Sequence, residues 1–207
     1  SSADGTFTTL AAPDTTPPTV SLTAPVSGAT VAGATVPVSA SASDNVGVLG
    51  VQFLLDGATL GAEDLSSPYS LSWDTTSATN GAHSLSATAR DAAGNATTSA
   101  AVSVTVDNAA PLLSGISAGG LSATAATIRW TSSELADSQV EYGLTTSYGQ
   151  ASLLDATLLT LHSVALSGLT ASSLYHYRVH SRDAAGNLAS SADGTFTTLA
   201  APDTTPP

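Results

Sequence analysis

Two copies of one pentapeptide, Asp-Ala-Ala-Gly-Asn, stand at residues 91–95 and 183–187, and each places a carboxylate four residues before an amide. Further acidic residues lie in each half of the chain, among them Asp14 and Asp44 in the first half and Asp107 in the second. Carboxylate and amide oxygens, combined with backbone carbonyls, are the ligands that Ca²⁺ prefers. The residue types therefore suggest the binding of a hard divalent cation.

The histidines suggest a weaker alternative. His176 and His180 lie four residues apart, which places both on one face of a strand. Two such side chains can hold a metal, but no third ligand lies near them in the sequence. A polar strand face directed toward solvent is the simpler interpretation. The serine-hydrolase, zinc-protease and phosphate-loop patterns are absent, so we predict that the chain is not an enzyme.

The composition excludes several other chemistries. The 207 residues contain no Cys, which excludes disulfides and thiolate sites, and no Lys, which excludes Schiff bases and isopeptide crosslinks. Sixteen acidic residues against four basic ones give a net charge of −12, which argues against a nucleic-acid partner. The uninterrupted apolar runs are only a few residues long, so we expect no transmembrane segment.

A long internal repeat dominates the organisation of the chain. Ser1–Pro18 and Ser190–Pro207 carry the same 18 letters, SSADGTFTTLAAPDTTPP, at an offset of 189 residues. We interpret this as a tandem array, of which the chain holds one period and an overlap. The open alternative is a sequence designed with matching ends.

Two proline-bearing linkers, Asp14–Pro18 and Asp107–Pro111, divide the period into segments of roughly 90 residues. We assign residues 1–18 to a last strand and linker copied from the preceding repeat. Residues 19–107 and 108–200 form two domains, and 201–207 link to the next repeat. Because proline fixes φ and removes a donor, we expect these linkers to be short and stiff.

Period-2 alternation in both segments predicts an all-β fold, since no stretch sustains a helical stripe. The predicted strands of the first segment are Val20–Thr23, Thr35–Ser43, Leu49–Asp56, Tyr69–Trp73, His83–Arg90 and Ala101–Val106. Those of the second segment are Leu113–Ser117, Thr127–Thr131, Ser138–Tyr142, His162–Ser167, Tyr175–Ser181 and Gly194–Thr198. Short strands at this spacing indicate two tandem β-sandwiches.

Both segments resemble known families. Residues 17–106, through TPPTVSLTAP, ASASDNVGVLGVQFLLDG and NGAHSLSATARDAAGN, resemble the bacterial immunoglobulin-like domains of large surface proteins. Residues 111–199, through ATIRWTSSELADSQVEYG, YHYRVHSRDAAGN and GTFTTL, resemble a fibronectin type III domain, close to the version in purple-acid-phosphatase-like proteins. The resemblance implies two sandwiches and a secreted bacterial origin, whereas it says little about function, because such modules serve many roles.

In a sandwich of this type, the entering linker and the BC and FG loops meet at one pole. The first pole would collect Asp14, Asp44, Asn45, Asp91 and Asn95. The second pole would collect Asp107, Glu134, Asp137, Asp183 and Asn187. Carboxylates gathered this closely repel one another unless they are neutralised, so we predict calcium at these interdomain poles.

A plain structural alternative stays open for the same residues. Asp and Asn in turns commonly accept hydrogen bonds from their own backbone. The Asp-Ala-Ala-Gly-Asn element then reads as a hairpin turn in which Asp caps amides and the Gly-Asn pair takes positive φ.

Two functions of different classes follow. The first is a structural repeat of a long extracellular, cell-surface stalk, fibre or filament that acts as a rigid spacer, with neighbouring copies as end-to-end partners. The second is an adhesin or carbohydrate-binding accessory module with a surface or matrix ligand. Sugar platforms need exposed aromatic rings, and we expect Trp73 and Trp130 to lie in the core, which leaves Tyr142 and Tyr148 as the best exposed candidates.

Overall fold

The computed structural model describes residues 12–204, so the first 11 residues of the segment 1–18, predicted to be a copied last strand and linker, lie outside the described residues. The chain divides into two compact units between Val106 and Asp107. Within residues 12–204, no helix has the length and apolar character that a membrane span requires.

In the part that the structure describes, the first unit contains nine strands in two sheets. One sheet has the order β1-β3-β6, and the other has the order β2-β9-β7-β4-β5 with β8 added to β7. A single turn of 3₁₀ helix, Thr75–Ser77, follows β6 and is capped by the Asp74 carboxylate. The strands are β1 Thr19–Ala24, β2 Thr30–Val31, β3 Val36–Ser43, β4 Val48–Leu55, β5 Ala58–Asp64, β6 Tyr69–Trp73, β7 Gly81–Asp91, β8 Ala96–Thr98 and β9 Val102–Val106.

The core of the first unit follows from the alternation of its strands. Val36, Val38 and Ala40 point inward from β3, while Phe53 and Leu85 are fully buried on the paired strands β4 and β7. Burying one such apolar side chain stabilises the fold by about 1.5–3 kcal/mol. The two facing sheets therefore bury one continuous apolar layer, as an immunoglobulin-like sandwich requires.

Residues 107–204 of the second unit contain seven strands, and one of them, the long strand β11, pairs with four of the others. Its first part pairs with β10 and β13, and its last part pairs with β12 and β14. Strands β15 and β16 pair with β14. The strands are β10 Leu113–Gly119, β11 Ala125–Gly143, β12 Gln150–Ala151, β13 Asp155–Ser167, β14 Leu174–Arg182, β15 Leu188–Ser190 and β16 Gly194–Thr197.

Aromatic side chains fill the second core. Tyr175 stacks on Phe196 at 5.5 Å between ring centroids, and Trp130 is 2% exposed. The Tyr175 hydroxyl accepts a hydrogen bond from the Thr170 backbone N–H at 3.0 Å. This bond is the tyrosine corner that fibronectin-like sandwiches use to fix the approach to their sixth strand.

The predicted all-β class and the two tandem sandwiches are confirmed, and so is the burial of Trp73 and Trp130. The predicted break between Thr127–Thr131 and Ser138–Tyr142 is wrong, because β11 runs through it. Register shifts near Ala136 bend the strand from one layer to the other. The bend replaces the expected BC loop, so Glu134 and Asp137 lie within a strand.

Candidate functional site

The structure brings the predicted acidic residues together as two groups of three, one in each unit. The first carboxylate cluster is Asp14, Asp44 and Asp91, and the second carboxylate cluster is Asp107, Glu134 and Asp183. Within each cluster, one oxygen from each residue lies within 4.8 Å of the others. In both clusters the residue from the pentapeptide is buried and the other two are partly exposed.

The pentapeptides form the same turn in both units. The Asp91 carboxylate accepts from the Asn95 backbone N–H at 2.8 Å and from the Asn95 side-chain amide at 2.7 Å. Asp183 accepts the same two bonds from Asn187, at 2.9 and 2.8 Å. Gly94 and Gly186 both have φ 96°, whereas the two asparagines do not, so the expected positive φ of the Gly-Asn pair holds for the glycine alone.

Each asparagine also holds the chain segment that enters its unit. The Asn95 side-chain amide donates to the Asp14 backbone carbonyl at 3.2 Å, across 81 residues of sequence. The Asn187 amide donates in the same way to the Asp107 carbonyl at 2.9 Å. One side chain thus fastens the linker residue to the turn, and the linker carboxylate is placed beside the pentapeptide carboxylate.

The first carboxylate cluster contains two buried oxygens without a hydrogen-bond partner. Asp14 Oδ1 accepts from Thr16 N–H and from the Asn45 amide, while Asp44 Oδ2 accepts from Val46 and Gly47 N–H, each at 2.9 Å. The second oxygens, Asp14 Oδ2 and Asp44 Oδ1, are buried and accept no bond. A buried, unpaired carboxylate oxygen is costly, and a cation beside it removes that cost.

Hydrogen bonds favour the ionised form of Asp91, the third carboxyl of this cluster. Burial raises the pKa of Asp91, but the hydrogen bonds from Asn95 and from the Gly94 and Ala93 N–H groups together outweigh burial and hold that pKa below its ordinary value. Asp91 therefore favours its charged form beside the other two carboxylates.

The second carboxylate cluster contains one carboxyl whose pKa is raised. Burial, and then the neighbouring charges of Asp107 and Asp183, raise the pKa of Glu134 above its ordinary value. Glu134 replaces the shorter Asp44 and lies on the bend of β11, where its backbone carbonyl accepts from Ser132 Oγ at 2.6 Å. Glu134 therefore takes up a proton at a higher pH than an ordinary glutamate does.

Asp137, which the sequence placed at the second pole, is engaged elsewhere. Its Oδ1 accepts from the Arg182 backbone N–H at 2.6 Å, and the side chain lines a shallow polar groove with Gln139, Glu141 and His180. The bend in β11 separates it from Glu134, so the carboxylate group of three does not include it.

His176 and His180, the alternative metal ligands, each contact a polar side chain of their own. His176 Nδ1 lies 2.8 Å from Asp193 Oδ2, and His180 Nδ1 lies 2.7 Å from Ser190 Oγ. His83 contacts Asp56 at 2.7 Å, and this hydrogen bond, with a second to the Thr79 carbonyl, raises the pKa of His83.

The most buried histidine, His162, was not singled out by the sequence. It is 3% exposed, stacks on Trp130 at 4.8 Å, and lies between the hydroxyls of Ser132 and Ser138 at 2.8 and 2.7 Å. Burial lowers its pKa. The alternation of β13 could have indicated this burial, because His162 lies on the same face of the strand as the inward residues Val164 and Leu166.

Tyr142 and Tyr148, which were expected to be exposed, are half-buried. Tyr148 lies under the Arg178 guanidinium at 4.9 Å, and Tyr142 packs near Tyr175 at 6.5 Å between ring centroids.

Comparison with known proteins supports the predicted families. Residues 18–87 match the family model described as "Bacterial Ig domain". The chain is 32% identical over 214 residues to Exoglucanase B of Cellulomonas fimi, a match that covers 99% of this chain and 18% of that protein. The chain thus spans about a fifth of the length of this curated relative.

Solved structures of fibronectin type III domains are also similar. The fibronectin(III)-like modules of Clostridium thermocellum CbhA match with 27% identity and a TM-score of 0.39, over 42% of this chain and 94% of that one. The FN1–FN3 domains of chicken CNTN1 match with 13% identity and a TM-score of 0.56, over 88% of this chain and 66% of that one. The latter match shows the shared fold. The predicted resemblance to bacterial immunoglobulin-like and fibronectin type III domains is confirmed.

Proposed function

We propose that the chain is one period of a longer extracellular bacterial protein, a cell-surface stalk or fibre, in which both sandwiches act as spacers. The observation that carries the proposal is the repeat: 18 identical letters recur after 189 residues and bracket one immunoglobulin-like and one fibronectin-like unit. Repeat arrays of this kind extend in one dimension, with each unit contributing its own stability.

The fastened linker supports the spacer role. In each unit an asparagine amide holds the backbone of the entering segment, at Asp14 in the first unit and Asp107 in the second. A segment held in this way loses freedom where it meets the sandwich, and the neighbouring prolines restrict it further. We propose that these bonds limit bending along the array.

Small-angle X-ray scattering on chains of one, two and three periods tests this proposal. The spacer role predicts that the maximum dimension rises by a constant increment with each added period. A matched chain with Asn95→Ala and Asn187→Ala should show a smaller increment, because its linkers are released. Dimensions that grow much more slowly than the number of periods, in both chains, would refute an extended spacer.

A second candidate is an accessory module of a polysaccharide-degrading enzyme or an adhesin. The 32% identity to an exoglucanase over nearly the whole chain favours it. Co-sedimentation with insoluble cellulose measures such binding directly, with Tyr148→Ala as the matched variant because Tyr148 is a half-buried aromatic residue whose ring contacts Arg178 on β14. Retention of the chain on cellulose that is lost in Tyr148→Ala would favour the accessory role over the spacer.

We also propose that the first carboxylate cluster binds Ca²⁺. Three carboxylates converge there, and two of their oxygens are buried without a hydrogen-bond donor. Asp14, Asp44 and Asp91 would supply the side-chain ligands, while Asn45 and Asn95 hold them in place. The second carboxylate cluster also brings three carboxylates together and extends the proposal at lower affinity, since the raised pKa of Glu134 makes the proton a stronger competitor of the cation there.

Titration calorimetry with Ca²⁺ tests the cation proposal. We expect one stronger binding event that Asp44→Asn abolishes and that Asp155→Asn, an exposed control carboxylate in the second unit, leaves unchanged. Equal weak heats in all three proteins would indicate general attraction to an acidic surface and contradict a site.

A further inference from the structure

We propose that β13 of the second unit pairs edge to edge with β13 of a second copy of this chain. The pairing uses residues 153–161, a leucine-rich segment that comprises the two residues before β13 and the first half of that strand. This segment is called the leucine edge below. Association of two chains side by side goes beyond the spacer role, which concerns contacts along one chain.

The leucine edge exposes many apolar side chains within a short stretch. Five of its nine residues are leucines, and the exposed fractions of these side chains range from 38% to 94%. The rest of β13 differs, because from His162 onward the strand alternates between buried and exposed residues. Single exposed leucines are ordinary on a protein surface, whereas a contiguous group of them marks an interaction site. The leucines are Leu153, Leu154, Leu158, Leu159 and Leu161.

The main chain of β13 can also accept another strand. Within residues 12–204, β13 pairs with β11 alone, so its other side offers main-chain donors and acceptors to a partner. Proteins usually protect such an edge with charges, prolines or bulges. In the first unit, β1 has a register shift and is followed by Pro25, and β5 carries Glu63 and Asp64. By contrast, the sequence from Ala156 to Ser167 contains neither a proline nor an Asp, Glu, Lys or Arg residue.

The charge of the chain favours a second copy as the partner at this edge. A net charge of −12 makes two copies repel each other wherever their acidic surfaces meet. The leucine edge carries one carboxylate, Asp155, at its beginning, while Glu134 and Asp137 lie on β11, which occupies the opposite side of β13. Two copies can therefore approach along this edge with little repulsion, whereas a basic partner would find little charge there to attract it.

A two-fold axis at Thr160 pairs leucine with leucine. In an antiparallel pair, opposite residues lie on the same face of the sheet, so the axis that relates two identical strands passes through a residue. With the axis at Thr160, Leu159 lies opposite Leu161 of the partner subunit, and the symmetric pair repeats this contact. Both leucines are exposed, on the face of β13 opposite to the buried His162. Cross-strand apolar pairs of this kind stabilise a sheet.

The size of the leucine edge predicts a weak dimer. Nine residues at roughly 3.3 Å each make a strip about 30 Å long and one strand wide. This strip is smaller than the roughly 800 Å² per partner that a standard stable interface buries. We therefore expect a dissociation constant on the order of 0.1–1 mM for the single chain. In the proposed array, one such contact per period would strengthen the association, because linked sites bind at a high effective concentration.

Sedimentation equilibrium of the full single chain tests the proposal without reference to the array. We expect the unmodified chain to form dimers as its concentration rises toward 1 mM. Leu161→Glu should weaken dimerisation by roughly tenfold or more, because the substitution acts twice in a two-fold contact. The matched control is Leu65→Glu, which adds the same charge at an exposed leucine of the first unit and should leave dimerisation unchanged. A chain that stays monomeric at about 1 mM, or equal weakening by both substitutions, would overturn the proposal.

A crosslinking measurement tests the register, because the chain contains no cysteine of its own. Thr160→Cys places the two thiols on opposite residues, whose Cβ atoms lie about 4.5–5.5 Å apart, close to the spacing of a disulfide. Ala156→Cys is the control at an exposed position of the same strand, where the two thiols lie roughly 20 Å apart or more. With an added oxidant, we expect Thr160→Cys to form linked dimers roughly tenfold faster than Ala156→Cys. Equal rates for the two variants would indicate random collision and overturn the proposed pairing.

Discussion

The two carboxylate clusters share a frame and differ in one residue. Both rest on a buried aspartate that accepts two bonds from an asparagine, and in both the same asparagine holds the entering linker. The first cluster then adds Asp44, whose free oxygen is buried without a donor, while the second adds Glu134, whose pKa is raised. The shared part therefore serves the linker, and the differing residue brings either an unpaired buried oxygen or a carboxyl of raised pKa.

Removing the buried aspartate should have the largest effect, and an equal one in both units. Asp91→Ala and Asp183→Ala each leave an asparagine amide and a backbone N–H without their acceptor. We expect each variant to lose about 2–3 kcal/mol from the free energy of unfolding of its own unit. Hydrogen exchange of core amides, such as those of Val51 and Val179, reports each unit separately. A loss of stability in one unit only would contradict a frame that is shared by the two clusters.

The next largest effect that we expect is a difference between the two units in how their stability depends on pH. His83 has a raised pKa in the folded state, so its stabilising contribution is present below the ordinary value of 6.5 and is lost as pH rises. His162 has a lowered pKa, so its contribution is present above 6.5 and is lost as pH falls. Acidification from about pH 8 to about pH 5.5 should stabilise the first unit and destabilise the second through these groups.

Matched variants isolate those contributions. His83→Gln should flatten the pH response of the first unit, and His162→Gln should flatten that of the second, as followed by hydrogen exchange of their core amides. If both units respond to pH in the same direction in the unmodified chain and neither variant changes the slope, the assignment of opposite signs is wrong.

Substitution of the residue that differs between the clusters, Asp44 or Glu134, should produce the smallest change in stability. Glu134→Gln removes a crowded charge, so we expect the second unit to gain about 0.5–1 kcal/mol near neutral pH. The gain should vanish as pH falls, because Glu134 takes up a proton more readily in the folded unit. Asp44→Asn weakens the bonds from Val46 and Gly47, so the first unit should show no comparable gain.

Thermal denaturation followed by calorimetry checks this difference, with and without added salt. Screening should shrink the gain of Glu134→Gln, since it arises in part from repulsion by Asp107 and Asp183. An equal gain from both variants would mean that crowding alone sets the stability of the two clusters.

Much of the frame was predictable from the sequence. Alternation in Val36–Ser43 and Leu174–Arg182 gives the strands, and the pentapeptides mark the FG turns. The family geometry then brings Asp14, Asp44 and Asp91 to one pole. Local patterns suffice for these features because each depends on a period of two or on a turn of fixed length.

The second cluster was less predictable, for a physical reason. The bend in β11 is set by register shifts and by the buried contacts of His162 with Ser132 and Ser138, which connect residues 24 and 30 positions apart. No local pattern encodes such contacts. The sequence therefore placed Asp137 with Glu134, whereas the bend directs it to Arg182.

A calcium titration followed by amide chemical shifts tests the central proposal, that one frame holds two clusters that bind Ca²⁺ with different affinity. Both units report in the same sample. We expect the amides of Gly47 and Asn95 to shift first and saturate, while that of Asn187 follows at higher Ca²⁺ concentration. Shifts that spread evenly over acidic residues outside the clusters, such as Asp64 and Asp155, without saturation at either pole, would contradict it.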